Sequence, residues 1–97
     1  VPAVIFHPDV VFEVKASYDW YQSQASGLGD DLMRELETAC QTISELPDTW
    51  PRFNKNYRRF LLSKFPYPVI YRNDTDTIFV VAVMHNSRKP GYWKNRS

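Results

Sequence analysis

Near the end of the chain, His85, Arg88 and Tyr92 supply the side-chain types that proton transfer beside a phosphate requires. A histidine among cations is biased toward its neutral form, and a neutral imidazole accepts a proton, for instance from a ribose 2′-hydroxyl, while an arginine holds the phosphate. Tyr92 is a second candidate for the proton-transfer role. His85 reads equally as a residue that ends a strand and bonds the local backbone, and the sequence leaves both readings open. Upstream, Arg59, Lys64 and Arg72 stand in or beside apolar runs, where a cation can take a phosphate or a carboxylate of a protein target.

Other chemistries lack their residues. The second half of the chain has no paired carboxylates, no Ser/His/Asp spacing and no glycine loop to cradle a phosphate. His7 and His85 stand alone, and Cys40 is the single cysteine, so neither a metal-ligand cluster nor a disulfide framework is expected. No cofactor is implied. A lone cysteine in a helical pattern fits a reducing, cytoplasmic setting. No run approaches the roughly 18 apolar residues of a membrane span.

Charge is divided along the chain. Residues 1–49 carry nine acidic and two basic side chains, whereas residues 50–97 carry two acidic and ten basic ones. Their near-cancellation to +1 conceals two halves of opposite sign. Such asymmetry suggests a layer that faces an anionic partner, either nucleic acid or an acidic protein segment; the alternative is acidic helices neutralising basic strands.

The elements that must position these residues follow from periodicity. Ala3-Val4-Ile5-Phe6 is β-prone, and Asp9 is expected to cap a helix bearing Val11, Val14, Tyr18 and Tyr21 on its inner stripe. Ser26-Gly27-Leu28-Gly29 reverses the chain into a second helix with Leu32, Leu36, Cys40 and Ile43 on one face, closed by Leu46-Pro47. A loop over 48–56 leads to strands at 57–63, 67–72 and 77–84. The order β-α-α-β-β-β describes an α+β fold, a helix hairpin packed on a small, mostly antiparallel, twisted sheet. Length allows a single domain over 1–97. Turns centred on Phe65-Pro66 and Asp74-Thr75 would set Arg59 opposite Arg72, Arg72 opposite Thr77 and His85 level with Lys64.

Taken together, Tyr18-x-x-Tyr21, Gly27-Leu28-Gly29, Leu46-Pro47, Arg58-Arg59-Phe60-Leu61-Leu62, Phe65-Pro66-Tyr67-x-x-x-Tyr71-Arg72 and Val83-Met84-His85-x-x-Arg88-x-Pro90-x-Tyr92-Trp93 resemble the RelE/ParE family of toxins, often labelled plasmid stabilisation proteins. The resemblance implies a cytoplasmic toxin of a type II toxin–antitoxin system, a growth-arresting protein neutralised by a cognate antitoxin with an acidic amphipathic segment. RelE-like members cleave mRNA on the ribosome, whereas ParE-like members poison DNA gyrase. Arg59 matches a basic position of the RelE-like nucleases, but Leu61 and Pro68 stand where those nucleases place a Lys and an Arg. The ending Met84-His85-Asn86-Ser87 is similar to ParE. Gyrase inhibition is therefore the favoured expectation, with RNA cleavage or a non-toxic binding module as alternatives. A homodimer or a higher toxin–antitoxin assembly is compatible with either mode.

Overall fold

The computed structural model describes residues 2–52 and 54–83. Its elements are β1 (Ala3–Phe6), α1 (Pro8–Gln24), α2 (Leu28–Glu45), β2 (Arg58–Leu61), β3 (Pro68–Asn73) and β4 (Thr77–Val83), in the expected order. The strands form one sheet in the spatial order β1-β4-β3-β2. β1 is parallel to β4, while β4 with β3 and β3 with β2 are antiparallel. β4 is thus an interior strand, as its apolar run over both faces requires.

Helix α1 starts at Pro8, whose missing N–H and fixed φ suit the first helical position. The cap is consequently His7 and not Asp9: His7 Nδ1 accepts the Asp9 N–H at 3.1 Å. The inner stripe is also rotated from the expected one. Val10 is buried and Val11 is 59% exposed, while Val14 and Tyr21 pack against the core.

The two glycines of the reversal serve different needs. Gly27 has φ 87° and caps α2 in the left-handed region that favours glycine. Gly29 lies where the helices meet, and a Cβ there would come within 2.6 Å of the Tyr18 carbonyl oxygen. Gln22 Oε1 accepts the N–H groups of Gly29 at 2.7 Å and Asp30 at 3.3 Å, so α1 satisfies the open donors at the start of α2.

From α2, Leu32, Leu36, Ala39 and Ile43 enter the core, where they join Val69 and Tyr71 of β3 and Ile78 and Val80 of β4. Cys40 is half-buried, beside the core stripe rather than on it. Rings extend the core toward the β2–β3 connection: Tyr21 meets Phe65 edge-on at 5.0 Å between centroids, and the Tyr67 hydroxyl donates to Ser17 Oγ at 3.0 Å. Tyr71 is fully buried with its hydroxyl donating to the Pro47 carbonyl at 2.8 Å. Most of the aromatic residues in the family-like motifs therefore have structural employment.

The strand registers differ from the expected ones by two residues. Arg59 faces Ile70 and Leu61 faces Pro68, so Arg59 is not opposite Arg72. Phe65 is drawn into the core, and Glu35 of α2 accepts the N–H groups of Ser63 and Lys64, which moves the turn centre one residue toward β2. Arg72 likewise faces Phe79 instead of Thr77, because β3 continues to Asn73 and the turn closes with the Asp74 N–H donating to the Thr77 carbonyl at 2.8 Å. A shift of two preserves every side-chain face. A further irregularity at Ile70/Tyr71 places Val81 and Ala82 together with Ile70 in a second buried cluster on the face away from the helices.

Candidate functional site

An apolar groove of about 640 Å³ runs along the helix hairpin. One wall is α1, through Val10, Val11, Val14 and Tyr18, and the other is α2, through Met33, Leu36 and Cys40. Val4 and Phe6 of β1, with Val83, complete the lining. The lining charges are Lys15 and Glu37. At Gly29 the two helices approach closely, against the Tyr18 carbonyl and the Gln22 side chain. Burial pushes the Cys40 thiol up to about 11, so it is an unreactive neutral hydrophobe. At the end near the turn, the Tyr18 hydroxyl donates to Asp30 at 3.1 Å, and this bond to a carboxylate raises the phenol further. The groove is built to bury apolar surface.

A second, polar cleft of about 200 Å³ lies where the 48–56 loop meets the β3–β4 turn. Arg58, largely buried, is its structural centre, donating to the carbonyls of Asp48 at 3.2 Å and Trp50 at 2.8 Å and lying 3.6 Å from the Asp48 carboxylate. Asn73 Nδ2 donates to the same carboxylate at 2.8 Å. Arg52, Lys55 and Asn56 form the outer wall. Asn54 Oδ1 holds this segment by accepting the N–H groups of Asn56 and Tyr57 at 3.0 and 2.9 Å.

The expected target-binding cations do not converge. Arg59 is exposed on β2, and Lys64 is exposed beyond its opposite end. Arg72 is on the same sheet face as Arg59 but is committed elsewhere: its Nε donates to both Asp74 oxygens at 2.9 and 3.1 Å, and its guanidinium stacks 4.9 Å above the Phe79 ring. The Asp74 bond raises its pKa, so the arginine is a held cation. Arg88 and the catalytic candidates His85 and Tyr92 lie outside the described residues. Among the described residues, no group of His, Cys, Asp or Glu is arranged to hold a metal ion. None of their helices is long and apolar enough to cross a membrane.

Two features were missed in the sequence. The groove was signalled by an α1 with more apolar residues than one inner stripe requires, Val10, Val11 and Val14 all lining it. The cleft was signalled by Arg52, Lys55 and Asn56 around an Asx-type turn in a segment that lacks a steady period.

Comparison with known proteins places this architecture. No curated protein matches the chain. A solved chain from the chromosomal ParDE TA system of P. aeruginosa superposes with a TM-score of 0.76 at 11% identity, covering 87% of this chain and 95% of that one. At that identity the likeness is one of fold. The family model described as ParE toxin of type II toxin-antitoxin system, parDE, matches residues 4–90, nearly the whole α+β unit and the basic segment after β4. The chain belongs to the ParE toxin family of type II toxin–antitoxin systems.

Proposed function

We propose that the protein arrests bacterial growth by inhibiting DNA gyrase, without cleaving RNA, and that its antitoxin neutralises it by docking in the apolar groove. The observation that carries the first part is the pairing of Leu61 with Pro68. By the resemblance to RelE-like nucleases, these are the positions where such an enzyme places a Lys and an Arg, and they sit directly across from one another, on the sheet face that also bears Arg59. Leu61 is 62% exposed there. A face with an apolar pair in place of two cations lacks the charge stabilisation that phosphodiester cleavage needs, worth orders of magnitude in rate. Arg59, Lys64 and Arg88 then serve as contacts to the target, and Arg72 fixes the β3–β4 turn. The groove supports the second part, because a cavity lined by Val, Met and Leu side chains stabilises a partner by apolar burial. The toxin acts in the cytoplasm, where its target is.

Induction in cells without the antitoxin tests this reading. DNA-damage signalling with slow loss of viability is expected. Immediate translation arrest with cleaved message would instead favour the RelE-like alternative, in which Arg59 and Arg88 bind phosphate and His85 or Tyr92 transfers the proton.

A further inference from the structure

The polarity of the chain leads to an opposite expectation for the groove from the one that the basic half suggests. The groove is built from the acidic half. Residues 8–45, which span both helices, contain eight acidic side chains and two basic ones. Both cations are engaged within the helices: Lys15 Nζ is 3.0 Å from Asp19, and Arg34 pairs with Asp31. Lys15, although it lines the groove, is therefore neutralised at the rim. Glu37 lines the opposite wall, exposed, and Asp30 stands at the turn end behind the Tyr18 hydroxyl. Among the described residues the lining carries one charge of each sign; with Lys15 held by Asp19, Glu37 and the nearby Asp30 leave an acidic bias beside the apolar floor, and the groove runs along α1 from Val10 to Tyr18, about two helical turns or roughly 12 Å.

We propose that the segment seated in this groove is amphipathic with a basic polar flank, its apolar side chains entering between α1 and α2 and its Lys or Arg side chains meeting Glu37 and Asp30. This rests on the groove being the antitoxin's seat and names the chemistry of the part that fills it. An acidic segment would bring like charges to the rim, which opposes docking even where the apolar fit is good. A partner that covers both the helix hairpin and the basic cleft at Arg52 and Lys55 must accordingly change sign along its length.

Two synthetic peptides of about 14 residues, roughly 21 Å as a helix, separate the possibilities. Both carry the same Leu stripe at i, i+3, i+4 and i+7, and one has Lys and the other Glu on the polar face. Binding to the full chain is measured by calorimetry at low and high salt, with Glu37→Lys and the neutral double substitution Val11→Asn/Met33→Gln as variants. Val11 and Met33 are exposed groove residues, so the double variant should fold, and its circular dichroism checks that it does. The Lys peptide should bind about tenfold more tightly at low salt, with the margin narrowing at high salt. Glu37→Lys should shrink that margin, and the double variant should weaken both peptides. Equal or tighter binding of the Glu peptide overturns the charge assignment while leaving the groove as the docking site. Absence of binding by either peptide, or binding that the double variant does not weaken, overturns the proposal together with the docking reading beneath it.

Discussion

Gly27 and Gly29 stand two residues apart and respond differently to an added methyl group. At Gly27 there is open space, and the cost of alanine is conformational, because φ of 87° is strained for an L side chain. At Gly29 the backbone is helical and the cost is steric, because the new Cβ meets the Tyr18 carbonyl and the Gln22 side chain. Gly27→Ala should lose about 1–2 kcal/mol with the helix pair unchanged. Gly29→Ala should lose about 1–3 kcal/mol and also force the helices apart, altering the groove. Urea denaturation compares their stabilities, and peptide affinity separates the two mechanisms; equal loss of affinity in both would contradict the assignment. Ionisation is informative at the same scale. Cys40 moves from 9.0 to about 11 and Tyr71 from 10.0 to about 12, in both cases chiefly by burial, with Arg58 pulling Tyr71 the other way. The folded state holds these protons more tightly than the unfolded chain. Their contribution is complete below about pH 9 and is lost as pH rises toward 11 and 12. Denaturation midpoints should therefore fall across that window, and native Cys40 should react slowly with iodoacetamide at neutral pH.

Among the elements, the 46–57 connection has little regular structure, yet it is held by a largely buried arginine. Arg58 supplies donors to two carbonyls of that loop, and the Tyr71 hydroxyl supplies a third. Arg58→Ala should cost about 1–3 kcal/mol by leaving those carbonyls without their partner. Arg58→Lys should recover only part of it, since an ammonium lacks the planar fork. Limited proteolysis would register the loss as cleavage within the loop, and a loop as resistant as wild type would argue against this role. The helices, the order of elements along the chain and the fold class were legible in the sequence because each depends on local period and turn residues. Register was less legible. The burial of Phe65 and the hold of Glu35 on Ser63 and Lys64 are tertiary effects, and they displaced Arg59 from Arg72. Arg58 and Arg59 are neighbours in sequence, but alternation puts the first among the loop carbonyls and leaves the second exposed, a distinction that only the register makes. The groove was legible only as surplus apolar residues on α1, since a groove between two helices is not a property of either one.

Across the whole molecule, charge and apolar surface are arranged in separate regions: an acidic helix hairpin enclosing the groove, and a basic loop and strand edge beyond it. Phe12 and Trp20, 72% and 58% exposed on the outer side of α1, add apolar surface away from the groove. This division fits a toxin that uses one region for neutralisation and the other for its target. Leu61→Lys with Pro68→Arg would restore the cations of the nuclease pattern at paired positions, yet RNA cleavage should not follow in full, because an active site also needs positioned proton transfer. The most direct test of the central claim is a gyrase supercoiling assay with the purified toxin, run beside ribosome-programmed message cleavage, with wild type and His85→Ala in both. The account predicts that wild type inhibits supercoiling, that His85→Ala weakens inhibition only by a contact's worth, about threefold to thirtyfold, and that neither protein cleaves message. Specific cleavage by wild type that His85→Ala abolishes, with supercoiling unaffected, would contradict it.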